Sequence, residues 1–156
     1  MDGIVGTNLV AQVGFVVKDI EKTKNDWSRF LGVPVPPTVG CGDYAITQTR
    51  YKGEPAPHAS SKLAFMDVGE NIQIELIEPN EAPSTWRNFL DKNGEGMHHL
   101  AFKVKGMKKI IAQCEGFGLE LEQFGEYGDA SGRYAYLDGG EKLKAVIELL
   151  ESGAKE

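Results

Sequence analysis

Hydrophobic residues alternate with polar ones in some segments and follow a helical spacing in others, which predicts a mixture of strands and helices. Residues 9–17 are predominantly apolar and predict a strand. Asp19 then caps a predicted helix that ends at Gly32. The apolar stripe of this helix consists of Ile20, Trp27, Phe30 and Leu31. Further strands are predicted over 44–50, 62–68 and 71–78.

A proline-bounded break at 79–83 separates the chain into two halves. Ser84 begins a short amphipathic helix that ends near Gly94. A strand over 97–104 follows, and then a helix with the apolar stripe Met107, Ile110, Ile111 and Cys114. The remaining strands are predicted over 119–124, 133–137 and 144–150. The pattern predicts one α+β domain spanning 1–156, made of a module at 9–78, a linker helix within 79–95, and a module at 96–151.

The two halves match in local sequence as well as in the order of their elements. Each half begins with a strand that leads into a helix, and each places an Ile-Glu-Leu triplet in its last strand. The opening strand at Gln12 aligns with the one at His99, and the triplet at Glu75 aligns with the one at Glu148. An internal duplication of strand–helix–three strands is the strongest sign of organisation in this sequence.

Strand alternation gives these four aligned residues a common orientation. Side chains in a strand point to opposite faces in turn, so each of the four lies opposite an apolar face. Two modules side by side would bring four residues together on one concave surface: Gln12, Glu75, His99 and Glu148. One amide, one imidazole and two carboxylates suit a divalent ion such as Zn, Ni, Co, Fe(II), Mn or Mg.

The alternative for any one of these residues is an ordinary structural role. A single Glu in a strand usually faces solvent, and a single His is usually a hydrogen-bonded or packed group. The matched set of four favours the metal site. His98 is predicted by alternation to point to the other face, as a packed or hydrogen-bonded histidine.

Composition and charge exclude several classes of function. The chain has 156 residues, of which 41% are hydrophobic, which is enough for the core of one domain. Its net charge of −6 and the lack of a basic run argue against nucleic-acid binding. No apolar run is long enough to predict a membrane span. The start of the sequence lacks a secretory signal pattern, so a cytoplasmic location is expected.

The chain resembles the vicinal-oxygen-chelate superfamily, which includes glyoxalase I, methylmalonyl-CoA epimerase, extradiol dioxygenases and bleomycin-resistance proteins. The resemblance rests on 12–19, on Ile-Glu-Leu-Ile-Glu-Pro at 74–79, and on the final Ile-Glu-Leu at 147–149. Gly-Met-His-His at 96–99 looks most like the epimerases. The resemblance implies two paired βαβββ modules that form a half-barrel around one divalent metal. It also implies a homodimer and a small-molecule substrate, with acyl-CoA as one candidate.

Three positions depart from the family pattern. Many members have His where Gln12 stands, although glyoxalase I of the eukaryotic type has Gln. That glyoxalase uses an Arg to hold glutathione where this chain has Val16. The epimerases carry a catalytic Glu at a place that here corresponds to His58 or the nearby Glu54.

The leading functional hypothesis is a metal-dependent isomerase of epimerase type, which abstracts a proton beside a metal-chelated carbonyl. Glu148 is the expected base and His58 its partner. One alternative is a glyoxalase I-type lactoylglutathione lyase, for which Arg50, Arg87 and Arg133 are candidate anchors. The other is a non-catalytic protein that sequesters small molecules such as drugs. The aromatic residues Tyr44, Tyr51, Tyr134 and Tyr136 are candidates either for pocket or for core positions, while Trp27 and Trp86 are expected to pack.

Overall fold

The computed structural model describes residues 3–153, so the predicted domain limits at 1–2 and 154–156 lie outside it. Its first half contains β1 (Gln12–Val16), α1 (Ile20–Leu31), β2 (Val39–Gly40), α2 (Tyr44–Thr47), β3 (Arg50–Tyr51), β4 (Glu54–Pro55), β5 (Ser61–Asp67) and β6 (Gln73–Pro79). After α3 (Thr85–Asn93), the second half contains β7 (Gly96–Lys103), α4 (Met107–Phe117), β8 (Glu120–Tyr127), β9 (Gly132–Asp138) and β10 (Val146–Ser152).

The predicted helix boundaries are confirmed by their caps. The Asp19 side chain accepts a hydrogen bond from the Lys22 N–H at 3.0 Å, which satisfies one free donor at the start of α1. Gly32 ends α1 in the left-handed conformation at φ 71°, where a glycine avoids the steric cost of a Cβ. Ser84 caps α3 in the same way as Asp19 caps α1, through the Arg87 N–H.

The strands form one curled sheet with the order β2-β5-β6-β1-β7-β10-β9-β8-β3-β4. The modules meet at the antiparallel pair β1 and β7, where Gln12 lies opposite Ala101 and Gly14 lies opposite His99. This reciprocal register is the signature of a two-fold relation between the modules. The chain therefore has the predicted α+β fold of paired βαβββ modules in a half-barrel.

The segment between β2 and β5 differs from the prediction. The strand predicted over 44–50 is wrong, because this region forms α2 and then the short β3. Gln48 ends α2 in the left-handed conformation at φ 45°, which a continuous strand cannot contain. The hairpin of β3 and β4 pairs with β8 of the other module, so segment 41–60 links the two edges of the sheet.

Apolar side chains cover both faces of the sheet. On one face, α1 packs on the first module around Ile20 and Leu76, and α4 packs on the second around Met107 and Leu149. On the concave face, Trp86 of α3 packs with other apolar residues near the module junction, namely Val16, Ile77, Leu90 and Tyr136. Among the described helices, none is long and apolar enough to cross a membrane.

Candidate metal centre

The four central strands of the sheet bring the four predicted ligands together. These strands run in the order β6-β1-β7-β10. Glu75 lies beside Gly14 in the parallel pair of the first module, and Glu148 lies beside Ala101 in that of the second. Gln12 and His99 face each other across the module junction, and all four predicted ligands are buried.

The imidazole of His99 is the centre of this group. Its Nε2 lies 3.2 Å from Gln12 Oε1, 3.4 Å from Glu75 Oε1 and 2.9 Å from Glu148 Oε2. Ligand atoms bonded at about 2.1 Å to an octahedral ion lie about 3.0 Å from their neighbours. The spacing of these atoms therefore fits the coordination shell of one small divalent ion.

The carboxylates also lack the partners that a buried charge requires. Among the described residues, Glu75 Oε1 and Glu148 Oε2 are buried oxygens whose charge only the His99 ring approaches, and neither oxygen has a further hydrogen bond. Burial, and then the charge of Glu148, raise the pKa of Glu75 well above its usual value. A divalent cation would neutralise both carboxylates and bind these oxygens, so the residues fit the metal that the resemblance implies.

Gly14 makes room for the His99 ring. A Cβ at position 14 would lie 2.0 Å from His99 Cε1, well inside the contact distance. The equivalent residue in the second module is Ala101, which lies opposite the slimmer Gln12 side chain. A glycine is therefore required on one side of the junction and not on the other.

A β-bulge changes the orientation of His98. Gly14 pairs with His99, whereas the next residue, Phe15, pairs with Met97, so β7 contains one extra residue at this point. The prediction that His98 points away from His99 is therefore wrong: the two Nδ1 atoms lie 3.0 Å apart. Its predicted role as a buried, hydrogen-bonded histidine is confirmed. Burial, and then His99, hold the pKa of His98 well below its usual value.

A cavity of about 480 Å³ opens beside Gln12, Glu75 and Glu148. This volume is in the range of small-molecule sites. Trp86 both packs in the core and lines the cavity, and its indole N–H donates to Tyr136 Oη at 3.2 Å. The remaining large lining side chains are Leu63, Phe65, Tyr127, Tyr134, Tyr136 and Leu150.

Two tyrosines of the cavity wall, Tyr134 and Tyr136, have raised pKa values. Burial raises the pKa of Tyr134 to about 12 and that of Tyr136 well above its usual value. From the sequence, both tyrosines were candidates for either pocket or core positions. Leu63 and Phe65 were not predicted to line the pocket. The duplication could have found those two, because they occupy the positions in β5 that Tyr134 and Tyr136 occupy in β9.

Other candidate residues lie away from this cavity. His58 is exposed, and its backbone carbonyl accepts a hydrogen bond from the Asn80 side chain. Glu54 is exposed in the edge strand β4. The structure therefore does not bring His58 or Glu54 to the four predicted ligands. Among the described residues, no Lys or Arg lines the cavity, and Tyr44 and Tyr51 do not line it either.

Comparison with known proteins places this geometry in a family. Residues 11–136 match the sequence profile of the Glyoxalase/Bleomycin resistance protein/Dioxygenase superfamily. The uncharacterized protein YqjC of Bacillus subtilis (strain 168) is 30% identical over 90 residues, which cover 57% of this chain. The match spans 64% of the length of that relative.

Solved structures share the fold. Methylmalonyl-CoA epimerase from Mycobacterium tuberculosis is 23% identical, with a TM-score of 0.61 over 93% of this chain and 88% of that one. A variant of the Streptomyces coelicolor epimerase, in complex with 2-nitronate-propionyl-CoA, is 21% identical, with a TM-score of 0.62 over 93% and 97%. Hypothetical protein BH1468 from Bacillus halodurans C-125 is 22% identical, with a TM-score of 0.62 over 95% and 96%. The chain belongs to the glyoxalase/bleomycin resistance protein/dioxygenase superfamily.

Proposed function

We propose that this protein is a metal-dependent isomerase of epimerase type, which removes and returns a proton on a carbon beside a carbonyl group. One observation carries the proposal: an amide oxygen, an imidazole nitrogen and two orphaned carboxylate oxygens converge at a cavity of small-molecule size. The similarity of the fold to methylmalonyl-CoA epimerases supports the choice of reaction class.

The residues of the centre have separate roles in this proposal. Gln12, Glu75, His99 and Glu148 would hold the ion, which when bound supplies Lewis acidity that lowers the pKa of the neighbouring C–H. Glu148 is the proposed base, because its carboxylate lines the cavity and its Oε2 has no hydrogen bond beyond the contact with His99. His58 has no part in the proposal, because it does not line the cavity. The returning proton comes from a protic group of the wall, namely Cys41, Tyr134 or Tyr136.

The walls of the cavity indicate the kind of substrate. They are largely apolar and aromatic, and within residues 3–153 the only charged residues lining the cavity are the two glutamates. The cavity therefore suits the acyl end of a substrate, while any anionic carrier would lie outside it. Because structures of the related epimerases contain acyl-CoA ligands, we propose acyl-CoA thioesters as the first class to test.

Metal binding can be measured before any substrate is known. The chelator-treated protein, titrated with Co²⁺, Ni²⁺, Zn²⁺ or Mn²⁺ in a calorimeter, should bind about one ion per chain. His99→Ala should abolish binding and Gln12→Ala should weaken it less, because a neutral amide oxygen is the weaker ligand. His58→Ala, outside the cavity, is the matched control. Substoichiometric metal after reconstitution would favour the small-molecule-binding alternative.

The reaction class is tested by isotope exchange. The metal-loaded protein, incubated in D₂O with one epimer of methylmalonyl-CoA and with other acyl-CoA thioesters, should incorporate deuterium at the α-carbon. Glu148→Gln should lose this exchange while it keeps the fold, as judged by circular dichroism. No exchange with any thioester, from a protein with full metal content, would reject the epimerase assignment.

The glyoxalase alternative is less well supported. Val16 is fully buried in the concave core where that enzyme has its glutathione-binding arginine. Arg87 pairs with Asp91 and Arg133 pairs with Glu151, so both are committed to structural contacts. Arg50 lies in β3 at the edge of the sheet. If the protein nevertheless turned over methylglyoxal with glutathione, the lyase would replace the epimerase as the proposed function.

A further inference from the structure

We infer that Glu122, Thr85 and His98 are positioning residues that fix the ring of His99, with its Nε2 directed toward Gln12, Glu75 and Glu148. The value of this arrangement for catalysis rests on the proposed metal-dependent function. The hydrogen bonds themselves belong to the protein alone, so the orientation and protonation of the His99 ring can be measured without metal.

The positioning residues form one continuous buried chain of hydrogen bonds. Thr85 Oγ1 donates to Glu122 Oε2 at 2.7 Å. Thr85 Oγ1 also lies 3.0 Å from His98 Nε2. His98 Nδ1 lies 3.0 Å from His99 Nδ1. Thr85, His98 and His99 are each almost completely buried, so water does not compete for these contacts.

The chemistry of Glu122 fixes which group donates and which accepts in each of these hydrogen bonds. A carboxylate only accepts, so the single Thr85 hydroxyl proton is committed to Glu122. Thr85 must then accept from His98 Nε2–H, which leaves Nδ1 of a neutral His98 as an acceptor. His99 must donate to it from Nδ1–H. This leaves Nε2, which faces Gln12 Oε1 and the two carboxylates, as the ring nitrogen that would bind a metal, in place of any proton it shares with these oxygens.

Two β-bulges bring these residues together. The bulge in β7 turns His98 to the side of His99. In β8, Leu121 pairs with Leu137 and Gln123 pairs with Tyr136, so Glu122 is an extra residue. Bulges re-aim side chains, and they are frequent beside active sites. The first residue of α3 lies between these two bulges and joins them through its hydroxyl.

Neighbouring contacts hold the links in place. The Thr85 backbone N–H donates to the Gln123 side chain at 2.9 Å, which fixes the start of α3 against β8. The rings of Phe89 and Tyr136 pack edge-on against His98, with centroids 5.2 Å and 5.3 Å away. Glu122 is half-buried and, like Thr85 and His98, borders a second cavity of about 280 Å³. Among the four linked residues, Glu122 is the one most exposed to solvent.

The state of the His99 ring can be read directly by ¹⁵N NMR of the ring nitrogens in the metal-free protein. The chain has only three histidines, and His58→Asn leaves the two of interest for assignment. The wild type should show His99 protonated at Nδ1. Thr85→Val, which removes the hydroxyl but keeps the shape, should give a mixture of tautomers. Thr85→Ser should restore the wild-type spectrum.

Metal affinity provides the second measurement. Loss of such an outer contact typically weakens a metal site about 10–100-fold, so we expect Thr85→Val and Glu122→Gln to raise the Kd for Co²⁺ by that amount. Thr85→Ser should recover most of the affinity. Glu120→Gln, an exposed glutamate of the same strand, is the matched control and should change neither measurement.

The outcomes separate this inference from the proposed function. If Thr85→Val and Glu122→Gln fold and leave both the His99 tautomer and the Kd unchanged, the inference is rejected, even if the protein binds metal. If the tautomer responds as expected but the wild type binds no ion, the positioning chain stands and the proposed function is rejected. Glu122→Gln keeps the test decisive should Thr85→Val fail to fold.

Discussion

The two modules hold an equivalent glutamate in different ways. Glu78 and Glu151 follow the proposed ligands Glu75 and Glu148 by three residues. Each accepts a hydrogen bond from the first N–H of the helix of its own module, at 3.1 Å for Glu78 and 2.8 Å for Glu151. Each also pairs with a cation on the neighbouring strand, at 3.4 Å in the first module and 2.6 Å in the second.

Burial separates the two ion pairs. The Lys62 side chain that pairs with Glu78 is 64% exposed, whereas the Arg133 side chain that pairs with Glu151 is 5% exposed. Exposed pairs contribute little to stability, because water and salt screen them, while a buried pair is costly to break. The two modules therefore have these contacts at equivalent positions, but the two ion pairs differ in how much they contribute to stability.

The candidate metal centre shows the same asymmetry. In the first module, the Gln12 amide donates to Gln73 at 3.0 Å. In the second, His99 is held by a chain of three further residues. The cavity wall of the first module is Leu63 and Phe65, where the second has two tyrosines. The second module thus supplies the fixed polar groups, and the first supplies space and apolar surface.

The largest expected difference concerns the two ion pairs. Arg133→Ala should lower the free energy of unfolding by about 3–5 kcal/mol, because it leaves Glu151 buried without its cation. Lys62→Ala should cost about 0–1 kcal/mol. Urea denaturation of the metal-free variants at pH 7 measures both. Equal losses would show that burial does not separate the two modules.

A smaller difference is expected where the modules meet. Gly14→Ala should lower the free energy of unfolding by about 1–3 kcal/mol and weaken metal binding, because the new Cβ displaces the His99 ring. The reverse change at the equivalent site, Ala101→Gly, should cost about 0.5–1 kcal/mol and leave metal binding intact. Thermal unfolding and calorimetric titration test the pair. Tolerance of Gly14→Ala with unchanged metal affinity would contradict the proposed fit.

The smallest expected effect is a gain in the free energy of unfolding, from a substitution at Glu75. The folded pKa of Glu75 is raised above 4.5, so the metal-free protein loses stability as the pH rises from about 4.5 through that folded pKa. Glu75→Gln lacks this cost. It should therefore be more stable than the metal-free wild type at pH 7, on the order of 1 kcal/mol, while it loses metal binding. The gain should vanish as the pH falls toward 4.5.

Glu151 serves as the control, because its effect on stability should depend on pH in the opposite direction. Burial alone would raise its pKa, but hydrogen bonds from Met107 N–H and Arg133 together lower it below 4.5. Its contribution is therefore present above pH 4.5 and is lost as the pH falls through the folded pKa. Glu151→Gln should destabilise the protein at pH 7, and this loss should shrink in acid. Unfolding curves collected between pH 3 and pH 8 would show whether the two glutamates differ in sign.

Local patterns in the sequence were sufficient for much of the fold. The helix from Asp19 to Gly32 could be predicted because its caps and its apolar stripe lie within one short segment. The positions of Gln12, Glu75, His99 and Glu148 followed from the internal repeat combined with strand alternation. The structure brings these four side chains to one point, as the duplication requires.

The failures fall where distant parts of the chain decide local structure. Residues 44–50 have the composition of a strand, but the turn at Gln48 directs the chain across to β8 of the other module. The orientation of His98 depends on a bulge, which is set by pairing with β1, some 80 residues earlier in the chain.

The sequence by itself therefore determined the order of the elements outside segment 41–60, the duplication and the four residues of the candidate centre, because period and repeat are properties of neighbouring residues. Only the tertiary structure decided how His99 is held. Thr85, His98 and Glu122 belong to three different elements, and no spacing in the sequence relates them. Their contact arises from strand register and from the packing of α3, which exist only once the sheet has formed.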